Sequence, residues 1–434
     1  MSVQHEPAVA GVGLSAWMAP HLAAPAADPL ADGETCDLAI VGGGLLGLST
    51  ALHAARRGLS VRVIEARGLG QGASGLNGGQ VIPGLKFDPE RLVGHFGEET
   101  GEALISFVSS TADVVFDLIR TEGLDVPSRR GGWIFAAHTA TALEAAANRH
   151  RQWSARGADA DLLDAAAIGR LTGAAGYRGG WLDRRAGVVQ PLALAFELAR
   201  IARAAGARIA TGTRVTRLAR QAGSWRVQTA SGATVKAAKV LVATNAYSDG
   251  LVPGLAQSLV WLNSFQIATP PLPDGIAAGV LPGGQAVSDS RRILIYYRRS
   301  PDGRLIVGGR GGMPTPTRTL DWAHLERAMT RLYPALAGVS IERRWFGRVA
   351  VTPDHLPHIH VPEEGLVAVA GCQGRGVGLM TALGPRVAAY FAEGVREALP
   401  FPPTPIRPIP FHSFRRVGVA ATIAWYRLLD GLER

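Results

Sequence analysis

The sequence predicts an α/β fold in which a mostly parallel sheet is joined to a second, antiparallel-sheet α+β unit. Three observations predict it. Asp37-Leu-Ala-Ile-Val41 is a short buried-type strand, followed by Gly42-Gly43-Gly44-Leu45-Leu46-Gly47, a helical pattern (LSTALHAARRG) and a second strand, Leu59–Ile64. Gln190–Gly206 reads as a helix with Pro191 in its first turn and Gly206 at its end, feeding strands around Val215, Trp225 and Lys239–Val242. Ile293–Arg298 and Leu305–Val307 alternate with period two around Pro301-Asp-Gly303, the pattern of a hairpin. The first of these is the strand–turn–helix–strand unit of a Rossmann-like fold.

Composition limits the function classes. The chain has 434 residues, 47% hydrophobic and 18% charged, enough apolar material for one large or two medium cores and too little charge for a disordered chain. Two cysteines, Cys36 and Cys372, exclude a disulfide scaffold and a thiolate metal cluster. The net charge is +10, yet the arginines are scattered without a basic run or aromatic stripe, so nucleic acid is not expected as a partner. Lysine occurs only at 86, 236 and 239. Residues 7–27 carry no formal charge, but no Lys or Arg precedes Arg56 and three prolines interrupt the stretch. An extended arm over 1–35, no membrane insertion and a cytoplasmic protein are therefore expected.

The physics of the turn explains its residues. Gly42 permits the tight bend, Gly44 lets a pyrophosphate approach the backbone, and Gly47 lets the helix lie close to the strand. The helix N-terminus then offers free N–H groups and the positive end of its dipole to a diphosphate. Glu65 stands 23 residues beyond Gly42, at the end of the second strand, where a carboxylate accepts hydrogen bonds from ribose hydroxyls and repels a 2′-phosphate.

A second glycine-rich stretch, Arg67-Gly-Leu-Gly-Gln-Gly-Ala-Ser-Gly-Leu-Asn-Gly-Gly-Gln80, allows further close backbone approach and an anion-binding nest. With it come Ala243-Thr244-Asn245 after a strand, and Phe346-Gly-Arg-Val-Ala-Val-Thr-Pro-Asp-His-Leu-Pro-His358 before Val367-Ala-Val-Ala-Gly-Cys-Gln-Gly-Arg-Gly-Val-Gly-Leu379. In this order, over residues 35–395 and the tail 405–430, these blocks resemble the flavoproteins of the D-amino-acid oxidase superfamily, closest to the gamma-glutamylputrescine oxidoreductase branch. The resemblance implies FAD rather than NAD. It implies contacts from Gly42, Gly43, Gly44, Leu45, Leu46 and Gly47, from Glu65, Ala66 and Arg67, and from Gln71, Gly72, Ala73 and Ser74. It further implies Asn77, Gly78, Gly79 and Gln80, then Val215, Ala243, Thr244, Asn245, Gly347 and Arg348. The closing segment adds Gly371, Gln373, Gly374, Arg375, Gly376, Val377 and Gly378, with a helix from about Thr381 aimed at the flavin pyrimidine.

Membership implies oxidation of an amine at the carbon beside nitrogen: hydride passes to flavin, and the resulting imine hydrolyses to a carbonyl compound and an amine. The substrate expected is a primary or secondary amine, gamma-glutamylputrescine-like, with oxygen or a quinone as electron acceptor. The rival readings are a D-amino-acid or glycine-type dehydrogenase passing electrons to quinone, and a flavin-binding accessory subunit of a multi-chain oxidase. Some relatives attach FAD through a Cys or His; Gly347, Leu76 and Asn77 stand at those places, so non-covalent FAD is expected. The carboxylate-anchoring Lys of sarcosine-oxidase-like relatives is replaced by Gly378, and their oxygen-activating Lys by Ile306.

No catalytic side chain is assigned. Tyr296, Arg348, His355 and Gln373 are the candidates for the substrate wall, with Trp261 and Gln266 near it. Tyr296 and Tyr297 face opposite sides of their strand, so only one can line a cavity. His355, His358 and His360 lack the further ligands of a metal site, and none is expected. The FAD domain is expected over 36–85, 180–250 and 345–395, the substrate domain over 86–179 and 251–344, and a Pro-rich segment with a helix over 396–434. A homo-oligomer is compatible with the tail.

Overall fold

The computed structural model describes residues 15–18 and 22–433. Part of the arm expected over 1–35, residues 1–14 and 19–21, lies outside the described residues.

The strand Glu34–Val41 alternates half-buried and exposed residues in its first half and is buried on both faces from Leu38 to Val41, as a central parallel strand requires. It pairs in parallel with Val61–Ile64 on one side and Thr234–Val242 on the other. Arg208–Ala210 extends the sheet beyond Val61–Ile64, and Leu366–Ala370 pairs in parallel with the end of Thr234–Val242. The register aligns Val41 with both Ile64 and Val242, so the carboxyl ends of these strands share one edge. An antiparallel extension, Val215–Gln221 and Ser224–Thr229, pairs with the start of Thr234–Val242. The helix Leu45–Ala55 lies between this sheet and the helix Gly376–Glu393, where Ser49 Oγ donates to the Thr381 carbonyl at 2.8 Å.

The second sheet has eight strands, in the order Arg343–Val351, Val260–Pro271, Arg304–Arg310, Ile295–Arg299, Ala286–Asp289, Trp133–Ala137, Gly179–Asp183 and Ala160–Asp164. Only the pair formed by Ala286–Asp289 and Trp133–Ala137 is parallel. Two boundaries differ from the sequence expectation. Residues 180–183 and 345–351, expected with the nucleotide unit, are strands of this second sheet. The reason is pairing: Arg343–Val351 runs beside Val260–Pro271 through nine registered pairs, and the chain leaves that sheet only at Thr352. The start of the span expected for the substrate domain forms three helices, Pro89–Phe96, Glu98–Ser109 and Thr111–Thr121.

The arm is tied down at Trp17, which is 2% exposed. Its Nε1 donates to the Asn77 carbonyl at 2.8 Å, its own carbonyl accepts from Gln190 Nε2 at 2.8 Å, and its ring meets Trp345 edge-on at 6.0 Å. At the other end, the helix Arg415–Leu432 has no buried residue and is held by Arg292, which pairs with Asp430 and Glu433. No helix among the described residues is long and apolar enough to cross a membrane.

Trp17→Ala empties a buried aromatic site and removes the indole hydrogen bond to Asn77, leaving the backbone carbonyl that Gln190 reaches. It is expected to cost about 3–5 kcal/mol, seen as a clear drop in thermal midpoint; an unchanged midpoint would show the arm to be dispensable.

Candidate functional site

The shared edge of carboxyl strand ends opens into a cavity of about 1020 Å³, at the upper end of ordinary ligand cavities. Its first wall is the glycine turn. Gly42 has φ of +109°, a conformation open to glycine, and a Cβ at Gly47 would stand 2.0 Å from the Gly42 carbonyl oxygen, so the helix can start this close to the strand only without a side chain there. Glu65 braces the turn: Oε2 accepts from the Gly43 amide at 2.7 Å and Oε1 from the Arg67 amide at 2.9 Å. Ser74 Oγ accepts from the Leu45 amide at 3.0 Å, joining the second glycine-rich stretch to the start of the helix.

That second stretch is fixed from three sides. Trp17 and Trp345 donate to the carbonyls of Asn77 and Leu76, and the buried Arg298 donates to those of Gly78, Gly79 and Val189. Burial holds the Arg298 guanidinium down at about 9. Asn77 folds back on its own turn, with Nδ2 on the Ala73 and Ser74 carbonyls and Oδ1 on the Gly79 amide.

The third wall joins two strand ends. Asn245 Oδ1 accepts from the Gly371 amide at 2.9 Å, linking the turn after Thr234–Val242 to the turn after Leu366–Ala370. The closing helix runs Gly376–Glu393, starting five residues before the position expected, so the turn Cys372–Arg375 leads directly into its N-terminus. Gln373 has φ of +54° and its Nε2 donates to Thr352 Oγ1 at 2.6 Å and the Leu356 carbonyl at 3.3 Å. Its amide thus holds the 352–356 turn in place.

The second sheet supplies the fourth wall. Tyr296 lines the cavity, with its hydroxyl 2.8 Å from Ser264 Oγ, while Tyr297 on the other face packs into the second core. Burial pushes the Tyr296 phenol up to about 12. The Arg348 guanidinium lies 4.0 Å from the Trp261 ring centroid and 5.3 Å from that of Tyr247, and burial lowers its pKa. His355 borders the cavity from a turn at φ of +59°. His358 and His360 stack 5.6 Å apart and face Thr404 instead. Among the described residues no group of three His, Cys, Asp or Glu is placed to hold a metal ion.

Most residues singled out from the sequence converge on this cavity; Trp261 stands behind Arg348, and five of the expected cofactor contacts stand behind its walls. Gly47 packs on the strand, and Gln71 accepts from the Gly68 amide. Gly79 packs on Val189 and Arg298, Gly371 on Thr352, and Gly378 against Thr111 of a neighbouring helix. Sequence reasoning missed Lys86, Trp133, Phe135, Arg149, Ser288 and Arg310 on the wall. One signal was available: Lys86 is one of only three lysines in a chain with 45 basic residues.

The family model described as FAD dependent oxidoreductase (DAO) matches residues 37–390. The chain belongs to the DAO family of FAD-dependent oxidoreductases. It is 33% identical over 413 residues to gamma-glutamylputrescine oxidoreductase of Escherichia coli K12, covering 93% of this chain and 95% of that one. It is 32% identical to a probable oxidoreductase OrdL of Rhizobium meliloti, covering 79% of each. Among solved structures, glycine oxidase from Geobacillus kaustophilus aligns with a TM-score of 0.72 at 21% identity, over 84% of this chain and 96% of that one. L-amino acid deaminase from Proteus vulgaris aligns with a TM-score of 0.69 at 17% identity, over 89% and 98%. These two likenesses concern the fold.

The site fits the family's cofactor on its own terms. A glycine turn without side chains at a helix start, a braced carboxylate at the next strand end and a cavity continuing to the second sheet suit an extended dinucleotide. Gly47→Val drives the helix off the strand. The purified variant is expected to be colourless, without the visible flavin absorption of the parent protein; full retention of FAD would contradict the role of this turn.

Proposed function

We propose that the protein oxidises a primary or secondary amine at the carbon beside nitrogen, on a gamma-glutamylputrescine-like substrate, with non-covalently bound FAD. The observation that carries this reading is the 33% identity to gamma-glutamylputrescine oxidoreductase, running through 93% of the chain and therefore through both sheets. The bound flavin supplies the redox chemistry, accepting hydride from the C–H bond.

The protein's own residues do the rest. The amides of Gly44, Leu46 and Ser74, not taken by the braces at Gly42, Gly43 and Leu45, would hold the diphosphate, and Glu65 the adenosine ribose. The turn Cys372–Arg375 and the first amides of Gly376–Glu393 would face the ring, where the positive end of the helix dipole favours the negative charge that reduction brings. Gly347 and Asn77 offer no nucleophile for covalent attachment, and Cys372 is a buried part of the wall. Tyr296 stays a neutral hydroxyl at working pH and can orient a substrate polar atom together with Ser264. Arg348, fixed between Trp261 and Tyr247, presents its cation to the same chamber. Trp133, Phe135 and Phe87 withdraw the chamber from water. Such chemistry needs an unprotonated amine held in line more than a strong base.

Anaerobic mixing of the yellow protein with a panel of amines tests the reading. Gamma-glutamylputrescine and related amines are expected to bleach the flavin; bleaching by D-amino acids alone would overturn the substrate assignment. Acid precipitation is expected to release FAD into the supernatant. A Tyr296→Phe variant carries a separate expectation. Because the phenol ionises only near 12, it contributes no inflection between pH 6 and 10. The kcat/KM profile should therefore keep its shape in the variant, with a uniform fall of about 10-fold from the lost hydrogen bond. Loss of an inflection in the variant would assign that titration to Tyr296.

A further inference from the structure

The far wall of the cavity carries positive charge that the protein leaves uncompensated. Lys86, Arg310 and Arg375 come from a loop, the second sheet and the closing turn, and all three line the cavity. Among the described residues none of them has a carboxylate within ion-pair distance, whereas their neighbours do: Arg149 pairs with Asp88, Arg291 with Asp289, and Arg292 with Asp430 and Glu433. Arg375 lies 4.9 Å from the Trp133 ring centroid, and its Nη1 is buried without a hydrogen-bond partner. Arg310 Nη1 reaches only the Arg292 carbonyl, at 3.4 Å. Lys86 and Arg310 also line a second cavity of about 330 Å³, which shares Phe135 and Leu294 with the first and is bordered by Tyr426 of the helix Arg415–Leu432. Like charges that converge without partners repel one another, and an anion joining them offsets that repulsion.

We propose that this wall is a recognition site for a carboxylate at the end of the substrate remote from the reacting amine, with Lys86 and Arg310 as its specificity-determining residues. The proposal rests on the amine-oxidoreductase reading, in which a gamma-glutamyl end carries a free carboxylate, and it adds the residues that would take that carboxylate. It is separate from Arg348, which stands on a different strand against Trp261. The state of Lys86 agrees. Its side chain keeps accessible surface because it borders both cavities. The surrounding protein nevertheless withdraws solvent, and that burial, with the charges of Arg375, Arg310 and Arg149, brings its ammonium down to about 7. A carboxylate placed among these groups favours the charged form, so ligand binding at pH 8 draws a proton onto Lys86. Asp88, the nearby acid, is already engaged by Arg149.

Calorimetry on the FAD-loaded full chain, with glutarate as the carboxylate probe and glutaramide as its neutral counterpart, tests this without turnover. Glutarate is expected to bind at least 10-fold more tightly than glutaramide, with net proton uptake at pH 8 measured in buffers of different ionisation enthalpy. Lys86→Met and Arg310→Gln should each weaken glutarate about 10- to 100-fold while leaving the flavin spectrum intact. The proton uptake should vanish in Lys86→Met, and Lys86→Arg should restore affinity. Equal binding of the two probes, or glutarate affinity unmoved by the substitutions, would overturn the proposal. Failure of every amine to bleach the flavin would sink the parent reading and leave this binding result standing, so the two failures are distinguishable.

Discussion

The molecule depends on one constraint: several strands must end together so that the turns after them face a common space. The register that sets Val41 level with Ile64 and Val242 does this, and the glycine turn after Val41 keeps the space open. Glu65 is what stops that turn from collapsing. A carboxylate at the next strand end takes the Gly43 amide and its own local Arg67 amide, so donors the helix cannot satisfy are not left bare. A carboxylate with one lone pair committed to each oxygen still has acceptor capacity for hydroxyls. Structural brace and ligand contact are thus compatible in one side chain.

The second sheet closes the space from the opposite side, and the two halves are bound together mainly by side chains that reach carbonyl groups. Trp345 to Leu76, Arg298 to Gly78, Gly79 and Val189, and Trp17 to Asn77 all grip the same glycine-rich stretch. That stretch lacks the side chains to hold itself, so its shape is imposed by its neighbours. A mobile segment at this place would leave the far cavity wall without a fixed distance to the turn.

Legibility in the sequence followed locality. The turn Gly42–Gly47, the acid at Glu65 and the opposite faces of Tyr296 and Tyr297 depend on neighbours within one element, and spacing was enough to read them. Residues 345–351 fall within the span expected for the FAD domain, yet they pair with Val260–Pro271 in the second sheet, because an apolar strand beside a Thr-Pro-Asp turn carries no mark of its partner. The closing helix begins at Gly376, earlier than the sequence suggests, because Gly374, Gly376 and Gly378 weaken the helical pattern that packing against Leu45–Ala55 nevertheless sustains. Lys86, Arg149, Arg310 and Arg375 come from four separate elements, and no periodicity links them; their convergence is a property of the assembled fold.

The order in which the ribosome delivers these pieces has a consequence. Glu34–Val41 and Leu45–Ala55 leave the exit tunnel early, yet the strand Leu366–Ala370 and the helix Gly376–Glu393 that complete their sheet and cover their helix arrive more than three hundred residues later. Until then the apolar flank of Leu45–Ala55 stands open to the cellular milieu, a window in which chaperone capture competes with misassembly. The cavity wall that includes the turn Cys372–Arg375 therefore forms only after every strand of the second sheet has been made.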